Sequence, residues 1–467
     1  MTAPESVLRF MAQMADMGGV IVQDQPKLNL DLYIQNYAGR TRFDRLLHIG
    51  KTSVYHCVDA LRAAVTEAKG GSDVSCYLEA WECLRQVAPG DLEAQKDDAW
   101  IERTESENKA ETTRLENELK GYKNNLIKES IRMGNEDLGK HFEKIGKLNE
   151  ASEAYTRMRQ DVSTTKHIVD CGIHLANVSL HRRDFIMVLN NIGKVTSAQD
   201  GDDDKNLQVY TIIASGVASL GLARFERAAK TLLRTDFNVP VAEYNHIASP
   251  NDIAVYGGLL ALATMDRKEL QARVLGNQSF RTFLEHEPHI RRAIGFFVSG
   301  RYSSCLSILE ASRSDYLLDI NLHKHIPAIY SMIRSKCIVQ YFIPFSCVAL
   351  ESLDAAFARP GTSTSQEVIE MIRDGSLKAR IDAKNKLLVA VRPDSREMMQ
   401  RNALRVAHHY EKEAKERLRR MSLAVAGLDL INAKKSTPGD FTRPGVDEAW
   451  YDDDRDTSLR DGIEASG

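Results

Sequence analysis

The sequence predicts a mainly α-helical chain: a helical-repeat solenoid running into a C-terminal winged helix, then one long helix and a disordered tail. Three observations predict it. Apolar residues recur at three and four positions through most of the 467 residues, and only 12 are proline. Small and large residues repeat weakly, with Ala151, Val188 and Ala228 in corresponding places 37 and 40 residues apart. Three short helical patterns and then a two-strand pattern precede a final heptad helix.

Composition narrows the function classes. With 43% hydrophobic and 27% charged residues the chain reads as an ordinary globular protein. Its 62 basic and 65 acidic residues give a net charge of −3, which excludes a histone-like polycation. The most apolar run, Ile253 to Met265, is too short for a membrane helix and is flanked by Asp252 and Asp266. The N-terminus lacks a basic start and a clean apolar run, so a secretory signal is not expected. Seven scattered cysteines without a CxxC read as reduced, mostly buried thiols in the cytoplasm or nucleus.

In chain order, residues 1–99 form an N-terminal helical arm, and residues 100–285 hold a long helix followed by repeats. Trp100 to Arg132 is expected as one helix, with Leu115, Leu119, Tyr122, Leu126 and Ile127 on one face. The segment from Leu138 and Gly139 through Ala151 to Tyr155 then carries the small and large positions of a tetratricopeptide-type helical hairpin. Leu175 to Ile192 and Ser215 to Leu232 repeat it. Such stacks present surface to partners. Ala198 to Asn206, with Asp202, Asp203 and Asp204, reads as a solvated loop.

Residues 286–394 change pattern, with the winged helix at 336–394. A helix is halted by Pro344, a second runs from Ser346 to Phe357 and stops at Arg359-Pro360-Gly361, and a third is capped by Thr364 or Ser365 and ended by Gly375. Leu377 to Val391 is a hairpin turning at Asp382 to Asn385. Residues 395–430 form the last helix. Its seam is Leu404, Ala407, Glu411, Ala414, Leu418, Met421, Val425 and Leu428, in steps of three and four. Residues 431–467 carry five basic and nine acidic residues with two Pro-Gly pairs, an acidic disordered tail at −4.

Catalytic signatures fail one by one. His323-Lys324-His325 imitates the HxH of JAMM metal-dependent isopeptidases, but the required serine and aspartate positions hold Ile333 and Lys336. These histidines are expected on a helix near Pro327. Gly50-Lys51-Thr52 lacks the upstream glycine of a phosphate loop, and Gly257-Gly258 lies in an apolar helix, where it permits close packing. No catalytic, cofactor-binding or metal-ligating residue is expected. The winged-helix hairpin is basic through Lys378, Arg380, Lys384, Lys386 and Arg392. The third helix is acidic through Glu367, Glu370 and Asp374, so the pattern disfavours nucleic-acid readout and favours protein contact.

Helical pairs stacked onto a winged helix resemble the PCI domain, shared by scaffold subunits of the proteasome lid, the signalosome and a translation-initiation complex. The string Tyr33-Ile-Gln-Asn-Tyr-Ala-Gly-Arg-Thr-Arg-Phe-Asp-Arg-Leu is similar to the subunit 1 family of the COP9 signalosome. So are Tyr122 to Gly134, Asn251 to Leu270, Ile338 to Phe345 and Ala379 to Leu387, collinear over about residues 28–425. The equivalent proteasome lid subunit resembles the chain only from the long helix onward. The departures are the short third winged-helix element after Ala358 and the acidic tail.

The resemblance implies a non-catalytic scaffold without cofactor, in a complex that removes the ubiquitin-like modifier NEDD8 from cullins through a JAMM site in another subunit. It implies PCI and MPN subunits and cullin–RING ligase components as partners, no membrane, and a place in cytoplasm and nucleus. Leu387, Leu388 and Val389 would support a sheet-edge contact between winged helices. Leu404, Ala414, Leu418, Met421 and Val425 would enter a shared helical bundle, and the N-terminal arm would be free to touch the ligase. The alternatives are a proteasome lid subunit and a nucleic-acid-binding winged-helix adaptor.

Overall fold

The computed structural model describes residues 4–198, 205–357, 364–391 and 395–427. They fall into two compact units, residues 1–390 and 391–467. The acidic tail, the Asp202 to Asp204 run, the Arg359-Pro360-Gly361 stop, Arg392 and Leu428 lie outside the described residues.

The first unit opens with α1 (Glu5–Asp16), α2 (Leu30–Ile34), α3 (Arg40–Thr52), α4 (Cys57–Lys69) and α5 (Val74–Val87). Their apolar stripes are helical in period: Cys57, Ala60, Leu61, Ala64, Val65 and Ala68 of α4 are all buried. The Asp73 carboxylate caps α5 by accepting from the Ser75 and Cys76 N–H groups. This lobe has its own apolar core, closed by Leu317 and Leu318 from far along the chain.

The expected helix through Arg132 is two helices, α6 (Asp98–Asn125) and α7 (Lys128–Lys144). Leu126 adopts the left-handed conformation (φ 56°) and ends α6. Leu126 and Ile127 are 81% and 54% exposed, so no packing holds a straight helix there. The chain folds back instead, and Gly134 of α7 sits against Leu119 and Tyr122. Of the expected stripe only Leu115 and Leu119 are buried.

Three hairpins follow: α7 with α8 (Leu148–Met158), α9 (Thr165–His181) with α10 (Phe185–Ala198), and α11 (Lys205–Gly221) with α12 (Phe225–Leu232). Each closes with the same turn. Gly146, Arg183 and Ala223 take positive φ, and the next N–H bonds back to Phe142, Ser179 and Ser219 oxygens at 2.9 Å each. Ala151, Val188 and Ala228 are fully buried, as their corresponding places predict. Glycine lets the paired helices meet: a Cβ on Gly139 would lie 2.4 Å from the Tyr155 ring. Gly139→Val therefore overpacks this contact and is expected to cost about 1–3 kcal/mol. Gly193→Ala, where a Cβ meets nothing within 4 Å, is expected to gain up to about 1 kcal/mol. Denaturant titration of the two variants checks both signs.

Helix α13 (Pro250–Thr264) is apolar all round because it is the hub: 13 of its 15 residues are buried. Gly257 and Gly258 face Phe280 and Ile290 at 2.6 and 2.3 Å from their missing Cβ positions, the close packing expected of them. Around the hub lie α14 (Arg267–Glu269) with a π-helical turn, α15 (Gln278–His286), α16 (Pro288–Val298), α17 (Tyr302–Ala311), α18 (Arg313–Leu317) and α19 (Ile326–Phe342).

The winged helix comprises β1 (Cys347–Ala349), α20 (Leu350–Phe357), α21 (Ser365–Arg373), β2 (Ala379–Asp382) and β3 (Leu387–Ala390). The helix expected from Ser346 starts only at Leu350, because Cys347–Ala349 pair with β3 instead. The sheet order is β1-β3-β2, antiparallel throughout. Asp382 holds the hairpin turn by accepting from the Lys384 and Asn385 N–H groups. Thr364 occupies the position before α21, but its hydroxyl turns to Asp354 of α20 and ties the two helices rather than capping. One apolar core runs from Ala176 in the repeats to Leu388 in β3. The second unit contains α22 (Ser395–Val425), the expected long helix.

Candidate assembly interfaces

The most polar point of the first unit's interior joins two of the strings singled out in the sequence. Arg45 of α3 is 1% exposed. Its guanidinium donates to Asp252 Oδ2 of α13 at 2.8 Å and to Asp319 Oδ2 at 2.8 Å. It also reaches the hydroxyls of Tyr33 and Tyr256 and lies 4.1 Å from the Tyr37 ring centre. Tyr37 donates to Asp252 at 2.8 Å, and Tyr256 donates to Asp319 at 2.7 Å. The spare lone pairs are used too: Asp252 accepts from the Ser249 N–H, and Asp319 accepts from the N–H groups of Asn321 and Leu322.

Burial pushes Asp252 up to about 6 against the pull of Arg45. Burial also opposes ionisation of Asp319, yet Arg45 and the Tyr256 hydroxyl hold it below the usual carboxylate range. A single arginine thus fastens the N-terminal lobe to the hub helix and to the turn after α18. Sequence reasoning missed Arg45, Asp252 and Asp319 as a group. The available signal was charge where burial is expected: Arg45 beside the buried stripe of Phe43, Leu46 and Leu47, and Asp252 at the start of the most apolar helix.

Half-buried histidines flank this clamp. His323 and His325 lie in the turn before α19 rather than on the helix, because α19 begins at Ile326. The His323 ring packs on His48 of α3, centres 4.5 Å apart. Burial, reinforced by His323, pushes His48 down to about 3, and burial pushes His181 down to about 4. Among the described residues no group of three His, Cys, Asp or Glu side chains is arranged to hold a metal.

Both histidines stay neutral in the fold, whereas the unfolded chain protonates below its ordinary pKa near 6.5. Their contribution is therefore present above pH 6.5 and lost as pH falls, by about 1.4 kcal/mol per histidine per pH unit. The thermal midpoint is expected to fall steadily from pH 7 to pH 5, and His48→Gln to flatten that slope.

The winged-helix residues divide. Leu388 is fully buried and anchors the sheet, Leu387 is half-buried, and Val389 is 39% exposed. The edge-strand role given to them needs correction: β3 is the central strand, paired on both sides, so its backbone cannot accept a further strand. The free edges belong to β1 and β2. Exposed Phe345 precedes β1, and exposed Val391 follows β3, where the Ala390 N–H donates to the Ser346 carbonyl. Glu367 of α21 is paired with Arg334 at 2.8 Å, and Lys386 lies 3.7 Å from Glu351, so both charge groups are partly engaged within the domain.

On α22 the seam is open. Leu404, Leu418, Met421 and Val425 are 71%, 62%, 64% and 90% exposed, and Ala414 is half-buried. Glu411, the polar interruption, pairs with Lys415 at 2.6 Å along the helix.

Comparison with known proteins agrees with this architecture. The family profile described as 26S proteasome subunit RPN7 matches residues 97–273, and the PCI domain profile matches residues 302–392. The COP9 signalosome complex subunit 1 of Neurospora crassa is 50% identical over 429 residues, covering 92% of this chain and 94% of that protein. Its Emericella nidulans counterpart is 47% identical, covering 88% and 85%. The Arabidopsis thaliana one is 36% identical, covering 89% and 94%.

Proposed function

The chain belongs to the COP9 signalosome complex subunit 1 family, and on that premise we propose that it is a non-catalytic scaffold subunit of the signalosome that supports removal of NEDD8 from cullin–RING ubiquitin ligases. The observation that carries the scaffold role is the open seam of α22: a heptad row of large apolar side chains exposed in the single chain. Such a row gains its stability by burial against helices of other chains. The partners are the other PCI and MPN subunits, and ligase components are reached through the complex. Its places are the cytoplasm and the nucleus, where seven unpaired thiols stay reduced.

The test is reconstitution. The isolated chain is expected to release no NEDD8 from a neddylated cullin, and adding it to a complex assembled without it to raise the rate at least about tenfold, which is about 1.4 kcal/mol of barrier. Hydrolysis by the isolated chain, or a rate indifferent to its addition, contradicts the reading.

A further inference from the structure

Helices α9 and α10 and the turn after α8 border a groove of about 710 Å³ that the assembly reading does not use. Its floor is apolar, with Leu175 and Cys171 buried, Leu189 half-buried and Ile168 40% exposed. Arg159 and Lys194 stand on its rim, and among the described residues no carboxylate lines it. Neither cation has an ion-pair partner among the described residues. Burial, helped by the Glu136 carboxylate, pushes the Cys171 thiol in the floor up to about 11, and Arg159 and Lys194 pull against it.

Gly193 lies on the same wall, inside α10. Most other helical glycines here are explained by a neighbour that a Cβ would strike; Gly121 and Gly295, like Gly193, are not. At Gly193 a Cβ would meet nothing within 4 Å. A glycine inside a helix costs about 1 kcal/mol relative to alanine, and internal packing does not account for this one. What its missing side chain leaves is bare backbone in the groove wall, open to a ligand's close approach.

We propose that this groove docks an acidic peptide segment of a partner protein, its carboxylates on Arg159 and Lys194 and its apolar side chains on the Ile168 and Leu189 floor. Charge complementarity selects the occupant: two cations without an ion-pair partner or a lining carboxylate among the described residues repel a basic segment and attract an acidic one. A single-stranded nucleic acid is the poorer fit, because among the described residues no aromatic ring lines the groove to stack a base.

The test uses the full-length chain and two fluorescein-labelled peptides, one of alternating aspartate and leucine and one of alternating lysine and leucine. The acidic probe is expected to bind saturably and more weakly as salt rises. The Arg159→Glu, Lys194→Glu variant should lose at least about tenfold in affinity. Lys194→Gln serves as a milder variant, with a smaller loss in the same direction. Gly193→Leu, which fills the groove, should lose binding with a thermal midpoint no lower than the parent's. Equal binding of the two probes, no binding of the acidic one, or an affinity unmoved by charge reversal overturns the proposal. So does tighter binding of single-stranded RNA at the same residues, or self-association of the chain that these substitutions abolish.

Discussion

The Leu418→Glu, Met421→Glu variant is expected to fold as the parent chain does and to disappear from the assembled complex. Both side chains are more than 60% exposed, so their replacement removes no internal packing. Surface changes of that kind stay within about 0.5 kcal/mol of the parent stability. In a bundle the same positions become buried, and a carboxylate forced into an apolar seam costs several kcal/mol. A loss of about 3 kcal/mol is more than a hundredfold in affinity. Circular dichroism of the variant should match the parent, while co-purification of partner subunits falls to background. Parent-like recovery of partners would remove α22 from the interface. A misfolded variant would show instead that the helix is held within its own chain.

The Arg45→Met variant is expected to lose about 3–5 kcal/mol, because it leaves the Asp252 and Asp319 carboxylates buried without their shared cation. Arg45→Lys should recover only part of this, since an ammonium cannot bridge both carboxylates and the two tyrosine hydroxyls in one plane. The pH dependence gives a signature that mere loss of packing lacks. Without Arg45 both carboxyls are pushed above their ordinary range by burial. A carboxyl raised in the fold binds its proton more tightly there than in the unfolded chain, so the variant's deficit relative to the parent should shrink as pH falls from 7 toward 4. A deficit constant over that range would contradict the electrostatic account. The lobe in front of the hub should also open first: amide exchange in α1 to α5 is expected to speed up before exchange in α13.

How much of this is visible in the amino-acid order depends on the distance over which each feature is decided. The hairpins are local. Gly139 meets Tyr155 within one pair of helices, and Asp382 fixes its own turn, so both are readable as patterns. The long C-terminal helix follows from its period alone. The break at Leu126 is not readable, because leucine is a good helix former and the left-handed turn comes from α7 folding back on α6. Strand β1 is three residues long and runs straight into a helix, so only its pairing with β3 defines it. The clamp is the least legible. Arg45 lies 207 residues from Asp252 and 274 from Asp319 in sequence. The period of α3 sets Arg45 beside its buried stripe, but nothing local names the two carboxylates that it meets. The groove is hidden for a related reason, since α8, α9 and α10 must be stacked before Arg159 and Lys194 face one floor.

The central claim is that this chain is built to be held by other PCI and MPN subunits of the signalosome. The most direct measurement is native mass spectrometry of complexes recovered from cells on a tag at the N-terminus of the intact chain. The account predicts one stoichiometric multisubunit assembly containing PCI and MPN subunits of the signalosome. Recovery of the chain alone, or in stoichiometric amounts with proteasome lid subunits, would contradict it.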